Sequence, residues 1–174
     1  MIRLVRTAPG NEASVINRLP LTAFTVIIVA LLSVTTHAAG QEYSAQLTGS
    51  AVVPPVSSAA TGVFVATLDT QTRTFSYTLE FKGLSSSEGS AYIQGPAAKG
   101  TNAAMAVFPI SKAGVPLPAS PIRATVTLTD NQMKELQSNL WYVEIHTSAF
   151  PNGEIRGQIM KKLKPAKGAA GKQK

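Results

Sequence analysis

From Thr74 to Lys82 polar and apolar residues alternate without a break. Phe75, Tyr77, Leu79 and Phe81 fall on one side, and Thr74, Ser76, Thr78, Glu80 and Lys82 on the other. Side chains of an extended strand point to opposite faces in turn, so this segment is a strand with one covered face and cannot be a helix. GVFVATLD, from Gly62 to Asp69, stands just before it, and Asp69-Thr70-Gln71-Thr72 lies where a polar turn is needed. The two segments predict a β-hairpin.

Further strand candidates are YSAQLTG from Tyr43, AYIQG from Ala91, AAMAVF from Ala103, IRATVTLT from Ile122, WYVEIHT from Trp141 and GEIRGQIM from Gly153. Between them stand Pro54-Pro55, Gly83, Gly95-Pro96, Gly100, Gly114, Pro116 to Pro121, and Pro151-Asn152-Gly153. About eight short strands punctuated in this way predict an all-β fold, an antiparallel β-sandwich or Greek-key barrel. One short helix is expected near 130–140. Thr129-Asp130 supplies its caps, and Met133, Leu136 and Leu140 share one side.

The N-terminus reads as a secretory signal over residues 1–38. Arg3, Arg6 and Arg18 precede the uncharged run Leu19–Val34, and the small residues Thr36 and Ala38 follow. Cleavage after Ala38 gives a mature start at Ala39. The alternative is an uncleaved anchor, but the run is shorter than the ~20 residues of a spanning helix, and no transmembrane span is expected after processing. The location implied is exported, periplasmic or extracellular. The chain has no Cys, so the domain at 39–160 rests on apolar burial and backbone pairing without disulfides.

The net charge of +7 suggests a nucleic-acid binder at first sight. Its location argues against specific nucleic-acid recognition. Lys161, Lys162, Lys164, Lys167, Lys172 and Lys174 crowd the last residues, while acids and bases nearly balance between Ala39 and Met160. Residues 161–174 lack aromatic and β-branched residues and are expected to be a disordered Lys-rich tail. Such a tail could make weak, salt-sensitive contact with anionic surfaces.

The order of segments resembles the chordin-type repeat, or CHRD, domain family, as found in exported bacterial proteins. The resemblance begins at YSAQLTGSAVVPPVSSAATGVFVATLD, continues through FSYTLEFKGL and IQGPA, and closes on WYVEIHTSAFPNGEIRGQI. It covers Tyr43 to Ile159. It implies an exported β-domain that binds or scaffolds, with an unknown protein or envelope ligand as partner. Family members typically carry His-Ile-His-Gly where this chain has Tyr92-Ile93-Gln94-Gly95. Two His on one strand face could hold a metal with a third, and here both are replaced. His37 leaves with the signal, so His146 is the one His of the mature chain. No metal site and no cofactor are therefore expected.

Candidate polar residues gather in the last hairpin. Tyr142, Glu144 and His146 share a face of their strand, and Glu154, Arg156 and Gln158 share a face of the next. Pairing predicts a cross-strand cluster of His146, Glu154 and Arg156, with Glu154 beside Arg156 and accepting from His146. Tyr92 and Gln94 are added as the residues standing in for the His pair. One reading is a small anion or metal subsite. The favoured reading is a polar lock on hairpin register, with Gly153 and Gly157 permitting close backbone approach. No catalytic residue can be nominated, for no nucleophile or second base is in prospect. An enzyme is the less favoured class, a metal-dependent redox type being the alternative to a binding module.

Overall fold

The structure is a computed structural model that describes residues 40–111 and 115–163. The segment expected to be a signal, residues 1–38, and most of the expected Lys-rich tail lie outside the described residues. So does Gly114.

Nine strands and one α-helix follow in the order β1 (Gln41–Thr48), β2 (Thr61–Asp69), β3 (Thr74–Lys82), β4 (Gly89–Gln94), β5 (Ala106–Pro109), β6 (Ile122–Thr127), α1 (Asp130–Gln137), β7 (Tyr142–Thr147), β8 (Ile155–Gln158) and β9 (Met160–Lys161). Among the described residues the nine strands belong to one sheet ordered β5-β4-β7-β8-β1-β2-β3-β6, with β9 also on β1. Every pairing is antiparallel. The all-β expectation holds, realised as a single curled sheet.

The alternation dictates which face is covered. Phe75, Tyr77 and Leu79 of β3 and Phe64, Ala66 and Leu68 of β2 are buried, whereas Val63 and Val65 between them are exposed. The hairpin register pairs Phe64 with Leu79 and Leu68 with Phe75. Curling brings the two halves of the sheet together at Trp141. Its ring meets Phe75 of β3 edge-on at 6.2 Å and Phe108 of β5 at 5.9 Å between centroids. Such edge contacts add about 0.5–1.5 kcal/mol beyond area burial. The indole N–H donates to Glu135 at 2.9 Å, tying α1 to the same point.

The helix starts where its caps require. Thr129 accepts from the Gln132 N–H while the Gln132 side chain accepts from the Thr129 N–H, a reciprocal capping box. Leu136 is buried in the core and Met133 packs against it. The helix closes at Gln137, before the expected Leu140, because Asn139 turns left-handed at φ 57°.

Lys161 pairs with Tyr43, its N–H donates to Asn139 Oδ1, and the Lys162 N–H donates to the Glu42 carbonyl. Strand pairing thus runs through Met160 to Lys161. Among the described residues no helix is long and apolar enough to cross a membrane.

Candidate functional site

Strands β4, β7 and β8 lie side by side, and their register sets the site. Tyr92 stands opposite Glu144, Gln94 opposite Tyr142 and Ser90 opposite His146. On the other flank Glu144 faces Arg156 and Tyr142 faces Gln158. The structure therefore brings Tyr92, Gln94, His146 and Arg156 around Glu144. Glu144 was not a candidate, although its position between Tyr142 and His146 on one strand face was the available signal.

Glu154 goes elsewhere. Its N–H donates to the Ile145 carbonyl although Ile155 is the register partner of Ile145. Two residues thus oppose one, the mark of a β-bulge. The extra residue turns the Glu154 side chain to the inner side, with Thr147. There its carboxylate accepts from the hydroxyls of Thr147, Ser85 and Ser58 at 2.7, 2.8 and 2.9 Å, and from the Ser85 N–H at 2.9 Å. Burial would raise this carboxyl, but the hydrogen bonds from Thr147, Ser85 and Ser58 outweigh it and hold it below its ordinary value. The expected Glu154–Arg156 pair and the His146 bond to Glu154 are corrected accordingly. Simple alternation fails at the bulge.

Arg156 is 2% exposed. Its guanidinium lies over the Tyr142 ring, 3.5 Å from the centroid, a cation–π contact. It donates to Asn102 Oδ1 at 2.6 Å and to the Thr101 carbonyl at 2.5 Å. Both acceptors come from the loop joining β4 to β5, which covers this face of β7 and β8. That cover explains why β7 is buried on both faces.

Gln94 organises the polar centre. Its Oε1 accepts from the Tyr142 hydroxyl at 2.8 Å, and Tyr142 in turn accepts from the Ala103 N–H at 3.1 Å. Its Nε2 donates to Glu144 Oε2 at 3.2 Å and to His146 Nε2 at 3.4 Å. His146 Nδ1 donates to the Pro151 carbonyl at 3.1 Å, which leaves Nε2 as the acceptor of the neutral ring. Burial lowers the His146 pKa further than the Pro151 bond raises it. Glu144, 4% exposed, is pushed up from 4.5 to about 7 by burial, against the opposing pull of Arg156 and Gln94. Glu144 Oε2 and His146 Nε2 are 3.6 Å apart. Tyr92 packs edge-on against the His146 ring at 5.7 Å.

The two glycines expected to allow close approach do so. A Cβ on Gly157 would lie 2.5 Å from the Gln46 carbonyl oxygen. Gly153 has φ +119°, and a Cβ there would lie 2.7 Å from Glu144 Oε1. Among the described residues no group of three or more His, Cys, Asp or Glu is placed to hold a metal ion. Glu144 and His146 form a pair only.

The segments that meet here, from Tyr43 to Ile159, are the span matched by the family description "CHRD domain", residues 43–159. The chain belongs to the CHRD domain family. No curated protein and no solved structure matches it. Within this CHRD domain the closing segment WYVEIHTSAFPNGEIRGQI supplies Glu144, His146, Glu154 and Arg156, and AYIQG supplies Tyr92 and Gln94. The contribution of Thr101 and Asn102 had no signal in the sequence, since neither lies in a patterned strand.

Proposed function

We propose that the chain is an exported CHRD domain that binds or scaffolds at the cell envelope or in the extracellular space, without catalysis of its own. One observation carries this reading. Of the charged groups of the closing segment, Glu154 and Arg156 are 0% and 2% exposed and bonded to the loops that cover them, and Glu144, 4% exposed, is bonded to Gln94 of the neighbouring strand. An acid, base or nucleophile needs contact with substrate. Glu154 and Arg156 instead fasten loops to strands, and Glu144 ties β7 to β4, as a rigid binding platform requires. The export component rests on Arg3, Arg6 and Arg18 before the uncharged run Leu19–Val34.

The raised pKa of Glu144 beside His146 favours a second reading, for perturbed carboxyls cluster at functional sites. A metal-dependent redox enzyme would use that pair. It would need a third ligand near the positions of Tyr92 and Gln94, and neither is a customary zinc ligand.

Expression of the full chain in an exporting host tests both components. Released protein should begin at Ala39, and it should hold no stoichiometric zinc or copper by elemental analysis. Its denaturation midpoint should be indifferent to chelator. Full-length protein retained in membranes overturns export, and tight metal with a chelator-sensitive midpoint overturns the non-catalytic reading.

A further inference from the structure

The buried cation of the site has a second side. Arg156 and Gln158 of β8 also line a cavity of about 340 Å³. Its walls come from two loops far apart in sequence, the turn after β1 with Ser50 and Val53, and the β4–β5 loop with Lys99 and Gly100. Both charged residues that line it are cations, Lys99 and Arg156. The described residues place no carboxylate in ion-pair contact with the guanidinium, and its hydrogen bonds go to the neutral acceptors Asn102 and Thr101. The facing strand offers Glu144, whose carboxyl burial pushes up to about 7, so near neutrality the Arg156 charge is only partly balanced. A buried charge without a full counter-charge is costly, and an anion bound beside it recovers that cost.

The rim suits entry. Lys99 is exposed, and Gly100 at φ +83° has open space where a Cβ would stand. Ala51, Val52, Val53 and Pro55 give the wall an apolar side. Guanidinium groups match the planar and tetrahedral oxyanions of carboxylates and phosphates.

We propose that the cavity between the turn after β1 and the Lys99–Gly100 loop is an oxyanion-binding site, taking a small ligand whose carboxylate or phosphate group sits between Arg156 and Lys99. This deepens the reading of the domain as a binding module and rests on it.

The test is an amide and guanidinium NMR titration of the mature protein, in separate arms with inorganic phosphate and with butyrate, at constant ionic strength set by chloride. Saturable shifts confined to Ser50, Lys99, Gly100 and the Arg156 side chain in either arm support the site, and the stronger arm names the ligand's anionic group. Lys99→Glu, an exposed change that leaves Arg156 and its packing intact, should keep the melting midpoint and weaken binding about fivefold or more. Arg123→Ala on exposed β6 should leave binding unchanged. Shifts that are scattered or fail to saturate in both arms, or equal binding by Lys99→Glu, overturn the site. That failure in a metal-free protein leaves the module reading standing, whereas stoichiometric metal sinks the module reading whatever the anions do.

Discussion

Replacing Glu144 by Gln should stabilise the domain above neutral pH and leave it nearly unchanged in mild acid. Burial pushes the Glu144 carboxyl from 4.5 to about 7, and neither Arg156 nor the Gln94 bond restores it. A carboxyl with a raised folded pKa stabilises the fold in its protonated form. That contribution is fully present below about pH 4.5 and is lost as pH rises through about 7. At about 1.4 kcal/mol per pH unit, the interval amounts to roughly 3 kcal/mol. Gln keeps the neutral shape and still accepts from Gln94 Nε2, but has no charge to desolvate. The variant should therefore match wild type near pH 4.5 and exceed it by roughly 2–3 kcal/mol near pH 8.5. Urea melts of both proteins across that range measure the difference, in which the titration of the distant Glu154 cancels. A variant less stable than wild type at alkaline pH would refute the argument, showing that the Glu144 carboxylate gains more from Arg156 than it loses by burial.

Three further outcomes follow from the same contacts. Arg156→Ala should lose about 3–5 kcal/mol in denaturant melts, because it removes two charge-assisted hydrogen bonds, to Thr101 and Asn102, worth about 1.5–3 kcal/mol each; a loss below about 1 kcal/mol would mark the residue as effectively solvated. Gly95→Ala should cost about 1–3 kcal/mol or more by the same assay, since its Cβ would collide with Trp141 and the Leu140 carbonyl. Truncation after Leu163 should leave the thermal midpoint unchanged, whereas truncation after Ile159 should lower it by removing the β9 pairing with Tyr43 and Ser44; equal midpoints would make β9 dispensable.

Local pattern carried the frame of the fold. Alternation marked β3 because one face of the strand is covered and the other is wet, the polar turn Asp69–Thr72 joined it to β2, and Thr129-Asp130 marked the start of α1. The site was legible only in part. Arg156 and His146 were found on the right face, but Glu154 was assigned by counting in twos across a bulge that adds a residue. Glu144 stands on the expected face but outside the expected cluster, because its importance comes from burial on both faces of β7, and that burial depends on a loop from a distant part of the chain. The strand β9 is two residues long, too short for any period to show.

The first strand and the last share a bond that bears on how the chain is made. β1 pairs with β2 along its whole length on one side, and its other side is closed only by β8 and β9. Likewise β4 waits for β7. A polypeptide emerging N-terminus first can build the β1–β2–β3 meander early, yet its sheet stays open in the middle until the final hairpin arrives. Closure between distant parts of a chain is slow compared with local hairpins. Such a topology leaves the central seam of the sheet unpaired until β7 and β8 have joined it, so the C-terminal residues decide when the two halves become one sheet.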